Sequence, residues 1–127
     1  MILHGREVKF RYSVGASLEL KKTRFKGNMT AEELDKRYED NEEEAFADVV
    51  AMLLILNKAA VINEEFESGK PIAEHDYSRR LTEEEIYNCT EGELAELIAE
   101  MRKTKADDET VTVEVAENKK KEVQELN

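Results

Sequence analysis

The sequence has no tryptophan, one cysteine and one proline, and histidine occurs twice. Each scarcity removes something. A lone cysteine, Cys89, permits no internal disulfide, and it fits a reducing compartment. The five glycines form no loop that could cradle a phosphate. No basic-then-apolar signal peptide opens the chain. The longest apolar run is about half of the roughly 18 residues that a membrane span needs. Basic residues are also few, 19 Lys and Arg against 30 Asp and Glu, which leaves a net charge of -11. That balance speaks against nucleic-acid phosphate and against an anionic bilayer surface as partners. The expectation is a soluble, cytoplasmic protein.

What is present is charge, and one exception to it. Of the 127 residues, 39% are charged, yet "VVAMLLIL", Val49 to Leu56, is uncharged throughout and follows directly on "EDNEEEAFAD". A chain of this length folds as one domain with a buried core. The question is whether its own core covers that patch. Residues 1–27 hold seven Lys/Arg against two acids, so the remainder is strongly acidic. A basic head and an acidic body can pair within one molecule or between two.

Val8, Phe10 and Tyr12 alternate with Lys9 and Arg11, the period of a half-buried strand. His4-Gly5 supplies a turn, so residues 1–13 read as a β-hairpin that needs a helix on its apolar face. Val14, Leu18 and Phe25 keep helical spacing, with Ser13 or Ser17 as N-cap and Gly27-Asn28 as terminator.

Four helix starts then carry capping-box spacing: Thr30…Glu33, Asn41…Glu44, Thr82…Glu85 and Thr90…Glu93. Three also carry an apolar staple, Met29 with Leu34, Leu81 with Ile86, and Cys89 with Leu94. Helices are therefore expected near 31–39, 42–67, 83–88 and 91–104. Ser68-Gly69 and Pro71 stop the long one. The expected core is Val8, Phe10, Tyr12, Phe46, Val50, Leu53, Leu94, Leu97 and Ile98. The fold class is α+β, mainly α: an N-terminal hairpin on a helical body with one long central helix. The chain divides into an interaction domain, 1–105, and a mobile acidic tail, 106–127. Within the tail, Val111, Val113 and Val115 make 110–116 a candidate short strand.

Catalysis finds little support. Glu74-His75-Asp76 has metal-capable side chains, but adjacent loop residues seldom converge on one ion without further ligands. A solvated polar loop is the plainer reading. Cys89 as a nucleophile would need an activating base and a positive setting, and its staple position predicts burial instead. Glu83-Glu84 is better explained by the helix dipole than as an acid/base pair. No catalytic residue, cofactor or metal is expected.

The long helix is the informative element. Phe46, Val49, Val50, Leu53, Leu56 and Ala60 form one stripe, while Met52, Leu54, Ile55 and Ala59 fill the rest of the circumference. A helix apolar all round is buried on all sides. If the few short elements leave part uncovered, Met52, Leu54, Ile55 and Ala59 become a partner site or an oligomer interface. Asn57 is either a register-setting polar residue in a helix–helix interface or a polar edge.

The opening "MILHGREVKFRYSVGASLEL", together with "LTEEEIYNCTEGELAELIAEM", resembles tail assembly chaperones of long-tailed phages and prophages of Gram-positive bacteria. The resemblance implies a non-enzymatic protein that binds and solubilises the tape-measure protein and helps to recruit tail-tube subunits. Families of this kind often make a second, longer product by ribosomal slippage, for which Lys119 to Lys121 could be encoded by a slippery run of adenines; a lysine cluster that solvates the acidic tail is the plainer reading. A competing class is a small acidic regulatory interaction module, antitoxin-like or a host-takeover protein.

Overall fold

The computed structural model describes residues 1–23 and 30–126. The chain begins with a two-stranded antiparallel hairpin, β1 (Ile2–Leu3) and β2 (Arg6–Glu7), in which Ile2 faces Glu7 and Leu3 faces Arg6. Its turn needs positive φ at both central residues. His4 (φ 49°) and Gly5 (φ 81°) supply it. Among the described residues five α-helices follow: α1 (Val14–Lys21), α2 (Ala31–Asp40), α3 (Glu42–Glu67), α4 (Glu83–Tyr87) and α5 (Glu91–Leu126). The mainly helical α+β class is as expected. Helix α3 lies at the centre, packed by α1, α2, α4 and α5.

The helix starts follow local chemistry. The Ser13, Thr30, Asn41 and Thr82 side chains each accept a hydrogen bond from a backbone N–H in the first turn of α1, α2, α3 and α4. At Thr82 and Thr90 the box is reciprocal, with Glu85 and Glu93 reaching back to the cap backbone N–H. Such caps each contribute about 1 kcal/mol. Gly69, at φ 78°, follows the Ser68 C-cap of α3 in the left-handed conformation that glycine adopts without strain.

The core is α3 with whatever reaches it. Val49, Leu53 and Leu56 are fully buried, as are Leu3 and Val8 from the N-terminus, Leu20 from α1, Ile86 from α4, and Leu97 and Met101 from α5. Of the expected core, Val8, Phe10, Val50, Leu53 and Leu97 are buried. Tyr12, Phe46, Leu94 and Ile98 are only partly buried against the cluster.

Three expectations need correction. The second strand ends at Glu7 and does not run on to Tyr12. Residues 8–12 still alternate in and out, but helix α3 takes the place of a further strand: the Arg11 N–H donates to the Leu56 carbonyl at 3.0 Å. In α1 the buried residues are Ala16 and Leu20, whereas Val14 and Leu18 are exposed. The helical spacing was real, but it marked the outer face; Phe25, the third residue of that stripe, lies outside the described residues, as does Met29. Lastly, 110–116 is helical, because α5 continues through it to Leu126. A strand needs a neighbour to take its backbone hydrogen bonds, and the described strands pair only with each other. No glycine or proline interrupts the sequence from Glu93 to Leu126, so nothing local stops the helix.

Asn57, 3% exposed, ties irregular backbone to the core helix. Its Nδ2 donates to the Lys9 carbonyl at 2.9 Å, and its Oδ1 accepts from the Leu81 N–H at 2.6 Å. Removing the carboxamide orphans a buried donor and an acceptor, each costing about 1–3 kcal/mol. Asn57→Ala should therefore lower unfolding free energy by about 2–4 kcal/mol in urea titration. A loss below about 0.5 kcal/mol, the range of an ordinary surface change, would show that neither bond matters.

Candidate functional site

The residue types that could carry chemistry are occupied structurally. His75 contacts the Tyr77 hydroxyl through Nδ1 at 3.1 Å and the Lys70 carbonyl through Nε2 at 2.9 Å. Its ring also meets Phe66 edge-on at 4.7 Å. Both ring nitrogens are thus engaged in holding the 70–77 connection. The Asp76 carboxylate accepts from the Ser78 N–H at 2.9 Å, and hydrogen bonding to Ser78 lowers its pKa. That is turn geometry. Among the described residues, no group of three or more His, Cys, Asp and Glu is placed to hold a metal ion. Glu83 and Glu84 sit exposed in the first turn of α4.

Cys89 is half-buried, with its Sγ donating to the Glu85 carbonyl at 3.3 Å. Burial, and then the carboxylates of Glu93 and Glu85, push its thiol pKa up. This is the reverse of an activated nucleophile. Iodoacetamide at pH 8 should alkylate Cys89 several-fold more slowly in the folded protein than in urea, and Glu93→Gln should speed the folded reaction. Equal rates folded and unfolded would mean that the thiol is neither shielded nor perturbed.

The four residues singled out on α3 do not make one exposed patch. Met52 and Ala59 are buried at 4% and 8% exposure. Leu54 and Ile55 are half-buried and line a cavity of about 540 Å³ with Glu19, Lys58, Arg80 and Leu81. Ile55 and Ala59 also line a smaller one, about 220 Å³, beside α1. The Lys58–Glu19 ion pair, at 2.7 Å, links α3 to α1 beside both. Helix α1 and the 78–82 segment therefore cover much of that face.

The larger opening is elsewhere. An open groove of about 860 Å³ runs between α2, the N-terminal turns of α3 and the first three turns of α5. Leu34 and Tyr38 come from α2, Phe46 from α3, and Leu94 and Ile98 from α5. All five pack on or belong to the core cluster, and all but Leu34 stay partly exposed. Ala95 and Ala99, both exposed, keep the α5 wall low. Along the rim stand four exposed carboxylates, Asp35, Glu42, Glu43 and Glu91, against one cation, Arg102. The phenol of Tyr38 has its pKa raised by burial and then by Glu42.

Sequence reasoning placed Phe46, Leu94 and Ile98 in the core and missed the groove. One signal was available. Helix α2 brings only Leu34 and Tyr38 as large apolar residues, one turn apart. Two side chains cannot roof both the start of α3 and the first turns of α5.

No protein family, curated protein or solved structure matches this chain.

Proposed function

We propose that this protein is a non-enzymatic tail assembly chaperone of a phage or prophage, which holds apolar helical segments of a tape-measure protein in solution in the bacterial cytoplasm. The observation that carries the reading is the groove. A small, strongly acidic body keeps about 860 Å³ of apolar-floored space open between three helices. A long helical client needs such a surface on which to lay its apolar face. It also needs a carrier whose net charge keeps the complex dispersed, and -11 on 127 residues supplies that. Tail-tube subunits would be recruited by the loaded complex.

Co-expression tests the reading. The gene should stand close to a very long gene rich in coiled-coil sequence, and the client is that gene's product. With the 127-residue protein present, the client should remain in the supernatant after centrifugation; without it, the client should pellet. A client that pellets equally in both cases rules the chaperone role out. A locus with no long helical gene would favour the regulatory interaction module instead.

A further inference from the structure

We infer that the groove between α2, α3 and α5 selects an amphipathic helix whose apolar stripe is flanked by Lys and Arg. The inference rests on the chaperone reading only for where such a helix comes from; the groove's own chemistry carries the rest.

Length comes first. The α5 wall runs from Glu91 to Arg102, three turns or about 17 Å. Leu94 and Ile98 lie one turn apart on that wall, facing Leu34, Tyr38 and Phe46 across the groove. Helix-in-groove recognition uses anchors at i, i+3, i+4 and i+7, a stripe of about two turns. The groove accommodates that stripe. The exposed alanines, Ala95 and Ala99, let a guest backbone approach closely.

Charge then names the guest. Asp35 stands on α2, Glu42 and Glu43 on α3 and Glu91 on α5, so carboxylates border the groove from all three helices. Their like charges repel one another and any acidic guest, and among the residues lining the groove Arg102 alone offsets them. A guest with Lys or Arg beside its apolar stripe relieves that repulsion on both walls. A second copy of this chain does not fit as well. Two-fold apposition brings the same patch against itself, so the four carboxylates would face their own copies.

Labelled synthetic helices, about 18 residues long with a Leu stripe, test this against the full chain by fluorescence anisotropy. One peptide carries Lys on both flanks and the other carries Glu. The Lys-flanked peptide should bind at least about tenfold more tightly, and its affinity should fall as salt rises from about 50 to about 300 mM. Replacing both Glu42 and Glu43 with Lys should remove that preference. Ile98→Asp should abolish binding. Ala99→Phe fills the groove from an exposed position and should weaken binding without unfolding the chain, as circular dichroism would check. Equal affinity for the two peptides, or binding unchanged by Ala99→Phe, overturns the inference. So does a concentration-dependent dimer in sedimentation that Ala99→Phe disperses, since a second copy would then be the occupant. If Lys-flanked peptides bind but segments of the tape-measure protein do not, the groove stands and the chaperone reading falls. If tape-measure segments bind Ala99→Phe as well as wild type, the chaperone reading stands and this groove is not its site.

Discussion

The Asn57 carboxamide is the contact on which the arrangement around α3 turns. From Val49 to Leu56 helix α3 is apolar on every side, so most of what packs on it there must be apolar too. Yet the segments that reach it at this level, residues 8–12 and 78–82, lack regular structure and bring backbone groups that need partners. Asparagine offers a donor and an acceptor from one short side chain. It spends the donor on Lys9 and the acceptor on Leu81. Leu81 is thereby seated next to Thr82, the N-cap of α4, and is buried together with Ile86. Arg6 then closes the circuit: it donates to both Glu85 oxygens at 2.7 and 2.6 Å and to the Arg79 carbonyl at 3.0 Å. Hairpin, connection and α4 are fixed relative to one another through one residue of the central helix.

The same region gathers one cation from the basic head, Lys9, and two from the connection after α3, Lys70 and Arg79. Lys9 and Arg79 reach Glu64, and Arg79 and Lys70 reach Glu65, whose side chain is only 4% exposed. Exposed pairs of this kind contribute about 0–1 kcal/mol each, but a buried carboxylate stripped of its partners costs far more. Glu64 and Glu65 also lie near the C-terminus of α3, where the helix dipole is unfavourable to an acid. The cations are thus gathered at this end by necessity. At the other end, Glu42, Glu43 and Glu44 occupy the first turn of α3, where the dipole favours them. The acidity of the groove rim is in part a consequence of how α3 is stabilised at each end.

What the sequence made legible was local. The bounds of α3 follow from Asn41, Ser68 and Gly69, each acting within one turn of its own position, and the four caps act over three residues. What it hid was non-local. Asn57 meets Lys9 48 residues away and Leu81 24 away, and no periodicity encodes such partners. Val14 and Leu18 show the limit of periodicity itself: a stripe identifies a face, but not which way that face points. Leu94, Leu97, Ile98 and Met101 form one apolar stripe along α5, and its surroundings split it. Leu97 and Met101 turn inward and are lost from solvent, while Leu94 and Ile98 remain at the groove. How α5 packs on α3 decides which two are buried, and the stripe does not encode that.

By length and composition α3 would also suit a bilayer, and the uninterrupted apolar run understates this: its best window has a mean hydropathy of 2.0. The polar residues along it point to a protein surround instead. Asp48, Asn57 and Glu65 are each at most 4% exposed, and each is met by groups from other parts of the chain. Arg37 of α2 holds Asp48 at 2.7 Å. Among the described residues, no buried side-chain nitrogen or oxygen lacks a partner. Moving α3 into lipid would strip all three of those partners, and a charged group at the centre of a bilayer costs at least about 2.5–3.5 kcal/mol. Helix α3 is therefore matched to the short elements around it by its polar exceptions as much as by its apolar bulk. Those elements suffice to satisfy every exception, yet among the described residues they do not roof the helix along its whole length, and the larger shortfall lies at the groove between α2 and α5.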